Sequence, residues 1–226
     1  MNSVVFCKIS SMKFYKGASN KDQPFNGGSF VEANGYGHEE YNFYTRDIPF
    51  GWEDNSGAVP EGEYCLGFVE TKSTNKAKSN QLHVEKILGF GGDFKKEPCV
   101  SGVTVVWCAT SDRNETSVVG WYKNAIVFRE YQMFTDENKE ERFYNVLARA
   151  SDCVLLPQGT RNRHIWNVPS KKYTRAFGFG QSMLWYAGEE KALPFVQRLM
   201  DNINNYSDES WLYTFADGQA PLEGGR

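Results

Sequence analysis

The chain has 226 residues, of which 40% are hydrophobic and 23% charged, a balance that excludes wholesale disorder and suits one large domain or two small ones. A net charge of -3 excludes a global positive field that would draw the protein onto a polyanion, so any nucleic-acid contact must come from a local basic face. The unusual figure is an aromatic content of 15%, with 16 Phe, 12 Tyr and 6 Trp; such rings fill a β-rich core or line a recognition pocket, and composition does not separate the two.

The opening MNSVVFCKIS lacks the basic start and long apolar segment of a signal peptide, and no run reaches the ~18 apolar residues of a membrane span. A cytoplasmic protein, off the membrane, is expected. Cys7, Cys65, Cys99, Cys108 and Cys153 show no Cys-x-x-Cys spacing and read as buried thiols of a reducing compartment.

In chain order, Val4, Phe6 and Ile9 predict an edge or closing strand, followed by a Gly-, Asn- and Asp-rich loop over 17–37. Strands are predicted at 41–45, 64–70 and 82–88, with KSTNKAKSNQ as a polar surface loop. Residues 103–132 read as a hairpin and a further strand, dominated by β-branched and aromatic residues. FYNVLARA and DCVLLP suggest another strand pair, after which a basic loop, QGTRNRHIWNVPSKKYTR, follows the end of the sheet. Leu193, Val196, Leu199, Met200 and Ile203 recur at helical spacing and predict an amphipathic helix packed on the sheet. The expected organisation is one β-rich binding domain over 1–206 and a tail or linker over 207–226.

Local motifs for chemistry are sparse. His38, His83 and His164 are far apart and have no cysteine spacing beside them, so no metal site and no cofactor are expected. GFGGDFKKE and GFGFGQS lack the ending of a phosphate-cradling loop and suit turns. His38, Glu39, Glu40 and Asp112 form the least implausible catalytic set, against which stands a structural histidine in a polar loop.

The stronger candidates are aromatic. Tyr36, Trp107, Trp121, Tyr122, Trp166 and Trp185 have faces able to stack on an extruded base, with core packing the competing use for at least half of them. Strict alternation puts Val118, Gly120 and Tyr122 on one sheet face and Val119 and Trp121 on the other, so one of Trp121 and Tyr122 is expected at a cleft or in solvent. Asn42, Asp112 and Asn124 are candidate readers of a base edge, although Asn124 equally suits a plain turn. Lys123, Arg161, Arg163, Lys171 and Lys172 are candidate phosphate contacts, with a solvated basic loop as the alternative.

Three stretches, GGSFVEANGYGHEEYNFY, GVTVVWCATSD with VVGWYKNAIVFREYQ, and VLLP with GFGQSMLWYA, together resemble the N-terminal specificity domain of bacterial HNH-type, modification-dependent restriction endonucleases and related phage-defence proteins. The resemblance implies a module of the PUA-like group (EVE, YTH, ASCH) that holds a modified or flipped base of double-stranded DNA in an aromatic pocket. It implies in addition a nuclease effector, attached or separate, whose catalytic half has no counterpart here. The fold expected is α+β: a curved mixed sheet or small barrel with a C-terminal helix. The rival readings are a nuclease or nucleotide-processing enzyme and a peptide- or small-ligand-binding domain.

Overall fold

In the computed structural model, residues 3–27, 37–71, 81–136 and 139–216 are described. Runs of Val, Ile, Phe, Tyr and Trp supply the strands, because branched and aromatic side chains pack well on a pleated surface. In chain order these are β1 (Val4–Ile9), β2 (Thr45–Ile48), β3 (Glu53–Asp54), β4 (Gly57–Ala58), β5 (Gly62–Gly67), β6 (Cys99–Thr110), β7 (Thr116–Thr135), β8 (Glu141–Arg149), β9 (Cys153–Leu155) and β10 (Leu184–Trp185). Helices are α1 (Gln158–Arg161), α2 (Lys171–Thr174) and α3 (Leu193–Asn204).

The main sheet runs β10-β1-β6-β7-β8-β5-β2, with β9 also paired to β7; β3 and β4 form a separate ribbon. Only β1 and β6 are parallel within that sheet, so it is mixed, and its two end strands do not pair with each other. The architecture is therefore α+β, an open and curved sheet with a C-terminal helix.

The curvature originates in β7. Val119 is an extra residue between the pairs Trp107 with Gly120 and Cys108 with Val118. Lys123 and Asn124 together oppose Thr104, with Asn124 at φ 50°, and residues 128–131 oppose the single Asn145 of β8. Bulges of this kind bend a strand and shift the phase of its side chains. Val119 and Tyr122 consequently share the main core, while Val118 and Trp121 share a second core on the opposite face. The alternation expected from the sequence is broken here, and neither Trp121 nor Tyr122 faces solvent.

Both faces of the central sheet are covered. The main core adds Met12, Tyr15, Phe43, Leu82, Val84, Ile87 and Leu212 to strand residues such as Val5, Val105 and Trp107. The second core joins Phe6, Val106 and Trp121 to Val196, Leu199, Met200 and Ile203 of α3, four of the five residues that helical spacing predicted; the fifth, Leu193, starts the helix and is exposed. Pro194 sits in the first turn of this helix, where its missing N–H costs no hydrogen bond. Gly120 lacks a Cβ because one would strike the Val154 carbonyl and the Phe43 ring; Gly67 meets Trp107 and Tyr122 in the same way.

Several boundaries differ from expectation. Residues 82–88 form a 3-10 turn over Val84–Lys86 instead of a strand, with Leu82, Val84 and Ile87 all directed into the core. Residue 41 ends a 3-10 turn, and the strand starts at Thr45. β8 and β9 do not pair with each other; both lie along β7, one after the other. The described part of the expected tail is packed: Trp211 N–H donates to the Leu155 carbonyl at 2.7 Å, and Leu212 is buried. Lys16 ties this strap down by donating to the Phe43 and Leu212 carbonyls. All five cysteines are free, four of them buried and Cys99 partly exposed.

Candidate functional site

The conspicuous aromatic residues are inside the protein. Trp107 and Tyr122 are 0% exposed, Trp121 1% and Trp166 2%. Trp107 meets Tyr122 edge-on at 5.2 Å, and Trp121 stacks on Trp166 at 5.5 Å. Their faces are used by one another because loops cover one side of the sheet and α3 the other. No face of these four rings is presented to a base.

The expected edge readers separate into three groups. Asn42 is fully buried and pairs with the Phe68 backbone, Nδ2 donating to O at 3.0 Å and Oδ1 accepting from N at 2.8 Å. Asn145 does the same for Val69, at 2.9 and 3.0 Å. These amides replace a missing strand partner. Asn124 is exposed at the bulge, where a left-handed residue is needed and Asn tolerates it; Lys123 beside it is half-buried. Tyr36 lies outside the described residues, as do 28–35 of the loop that precedes His38.

His38 is half-buried between Phe68 and Phe143, with ring centroids at 5.1 and 5.4 Å. Burial, reinforced by the nearby Arg142 charge, pushes its pKa down, so the ring is neutral at neutral pH. Burial pushes the Glu39 and Glu40 carboxyls up. Asp112 belongs to a different place, the turn between β6 and β7, so His38, Glu39 and Asp112 do not line one cavity.

That turn forms one wall of a cleft of about 680 Å³, facing a segment over 11–25, with α1 and Asn167 below. The walls are tied together. Ser11 and Phe25 exchange backbone hydrogen bonds at 2.6 and 3.0 Å, and Asn26 Nδ2 donates to the Thr110 and Ser111 carbonyls at 3.2 Å. Asp22 accepts the backbone N–H of Lys13 at 2.7 Å and of Phe14 at 2.8 Å, which fixes the lower wall.

Phe25 lines the cleft and is 51% exposed, so its ring has an open face. Around it are the amides of Gln23, Asn162 and Asn167, the carboxylates of Asp112 and Glu115, and the cations of Lys13, Arg113 and Arg161. Of the residues singled out in the sequence, Asp112 and Arg161 meet here. Phe25, Gln23, Asn162 and Asn167 carried no local signal, because the contacts that assemble the cleft span as many as 149 positions.

Arg161 is 5% exposed and donates to the carbonyls of Leu156, Met12 and Lys13 at 2.8, 2.6 and 2.6 Å. Burial pulls its pKa down, yet a guanidinium stays charged. It is a clamp inside the fold before it is anything else, unlike the exposed phosphate contact that the basic loop suggested.

The remaining basic residues of this loop are on the surface. Arg163 lies 3.8 Å from Asp208, Lys171 lies 3.0 Å from Glu189, and Lys172 sits 5.4 Å from the ring of Tyr173, which is 70% exposed. No Asp or Glu occurs in the sequence between Asp152 and Glu189, a stretch that holds Arg161, Arg163, Lys171, Lys172 and Arg175. Its first part, through Asn167, contributes Gln158, Arg161, Asn162 and Asn167 to the floor of the cleft.

Among the described residues no three His, Cys, Asp or Glu side chains are placed to hold a metal ion, and no helix is long and apolar enough to cross a membrane. No family model, curated protein or solved structure matches the chain.

Proposed function

We propose that the chain is a nucleic-acid-binding module that reads a modified base of double-stranded DNA, with the base held in the Phe25 cleft and the phosphates on the adjoining basic segment. The observation that carries this reading is that one stretch of sequence without Asp or Glu supplies both the floor of the cleft and a run of surface cations. A volume of about 680 Å³ is in the range of small-ligand sites. An extruded base loses its stacking, and the exposed ring of Phe25 offers a replacement while nearby amides and Asp112 face its polar edge.

Lys172 and Arg175, together with Arg163 and Lys171, whose charges are shared with Asp208 and Glu189, supply the local cations that an overall charge of -3 does not. Tyr173 adds a second exposed ring, with the Lys172 ammonium over it. On this reading the partner is modified DNA, and a nuclease, attached or separate, does the cleaving that a specificity module directs. The module itself belongs with PUA-like base readers in mode of action, in a cytoplasmic defence system.

The test is a fluorescence-anisotropy titration with matched unmodified, methylated, hydroxymethylated and glucosylated duplexes at two salt concentrations. Selective binding to one modified duplex, weakened by salt, is expected, because phosphate contacts release counterions. Equal binding to all duplexes removes base reading, and absence of binding to any removes the nucleic-acid reading in favour of a small polar ligand.

A further inference from the structure

Two of the free cysteines come together in the main core. Cys65 belongs to β5 and Cys153 opens β9, strands that do not pair with each other. Cys65 stands opposite Ala148 of β8, and a 3-10 turn over Ala150–Asp152 then carries the chain to Cys153, opposite Tyr122 of β7. Both side chains enter the same buried cluster, where the Cys65 thiol lies against the Cys153 thiol and the Tyr122 hydroxyl. Cys153 Sγ also donates to the Arg149 carbonyl at 3.2 Å.

What covers this pair is the C-terminal strap. Leu212 is buried in the same cluster as the two thiols, with Trp211 packed against it. Lys16, which donates to the Leu212 carbonyl, is near enough for its charge to act on both thiols. Tyr213 is 60% exposed, donates to Glu63 Oε2 at 2.7 Å and is within electrostatic reach of both as well. The thiols therefore lie close beneath a surface segment. That segment is irregular and is held by single contacts, among them Trp211 N–H to Leu155 O and Leu155 N–H to Ser210 Oγ, so it opens more readily than a strand ladder. Burial pushes the Cys153 thiol up against the opposing pull of Lys16, which keeps it unreactive while the strap is closed.

We infer that Cys65 and Cys153 are a reversible redox pair, which a small-molecule disulfide converts to an intramolecular disulfide when the strap lifts. Cys153 reacts first, being 4% exposed against 0% for Cys65 and having the Lys16 cation beside it. Its thiolate attacks the reagent and releases one reagent thiol; the Cys65 thiolate then attacks the Cys153 sulfur of the mixed disulfide and releases the second. One protein S–S bond forms as one reagent S–S bond breaks, and the two electrons and two protons of the protein thiols end on the two reagent thiols. In a reducing compartment the pair stays as dithiol, and oxidising conditions cross-link β5 to β9. The inference is independent of what the cleft binds.

The experiment treats the folded full chain, with the partly exposed thiol removed by Cys99→Ala, with oxidised glutathione well below its melting temperature. Remaining thiols are alkylated under denaturing conditions, and the digest is read by mass spectrometry. The expected product is one linked peptide pair, Cys65 with Cys153, separated again by reductant, in a protein that melts at a higher temperature than its reduced form because the cross-link closes a long loop. Leu212→Ala shortens the buried strap residue and leaves Lys16 and both thiols in place; it should speed the cross-link at least about tenfold by favouring local opening. Tyr213→Phe, an exposed change that spares the core, should speed it by a smaller factor. Cys65 and Cys153 left fully alkylatable, pairings that include Cys7 or Cys108, or a link formed only in urea overturns the inference. Unchanged rates in both strap variants overturn the strap as the cover that controls it.

Discussion

Two aromatic regions of the molecule teach opposite lessons. Trp107, Trp121, Tyr122 and Trp166 are the residues a reader of the sequence would choose for stacking, and all are sealed between the sheet and its covering layers. Phe25, in an irregular segment with no motif, keeps half of its surface open in a polar cleft. Size and stacking capacity decide what a ring can do; what covers it decides what it does. A large indole gains most when removed from water, so in a protein with two covered sheet faces the tryptophans go inward.

The comparison is broken most directly at Trp121. Trp121→Ala should destabilise the protein by about 3 to 5 kcal/mol through the cavity left between β7 and α3, visible as a large fall in the urea midpoint. If Trp121→Ala instead left stability intact and abolished ligand binding, the division between core rings and cleft ring would be wrong.

Arg161→Met comes next, at about 3 kcal/mol, because three buried carbonyls lose a charged donor together. Chemical denaturation measures it, and Lys13→Gln, whose side chain is exposed, should leave the midpoint near the parent value.

A smaller effect lies in the strap. Burial lowers the pKa of Lys16 from 10.5 to about 8. Between those values the unfolded chain binds more protons at this site than the folded one, so the Lys16 contribution to stability rises with pH there. From pH 8 to pH 10 the gain is about 2 kcal/mol, and it should vanish in Lys16→Met, with unfolding curves at the two pH values as the check.

Phe25→Ala sharpens the comparison from the other side. It should cost about 1 to 3 kcal/mol of binding to the preferred modified duplex by loss of stacking, with little change in the melting temperature. The mildest effect belongs to Lys172→Gln, which should weaken every duplex similarly and lower the slope of log affinity against log salt by about 1.

Much of the fold was legible where local preference and burial agree. The Val, Trp and Tyr runs of β6 and β7 read as strands because such residues fit a pleated surface, and the helical spacing of Val196, Leu199, Met200 and Ile203 marked the buried face of α3. Residues 82–88 misled because Leu82, Val84 and Ile87 look the same whether they line a strand or point inward from a turn. The bulges at Val119 and at Lys123–Asn124 were hidden, since an extra residue in one strand is defined only by its partner, β6.

The candidate site was legible in two of its residues. Asp112 and the basic loop containing Arg161 were visible as polar turn and charge, but what brings them together is the closure of 11–25 over the β6-β7 turn, secured by Asn26 and Asp22. The sequence by itself determined a strand-rich α+β chain with an amphipathic helix near its end and a local concentration of positive charge. Tertiary structure alone decided which rings are core, which way β7 turns its side chains, and where a cleft opens. Strand and helix preferences act over a few neighbours, whereas burial and register depend on partners that arrive from distant parts of the chain.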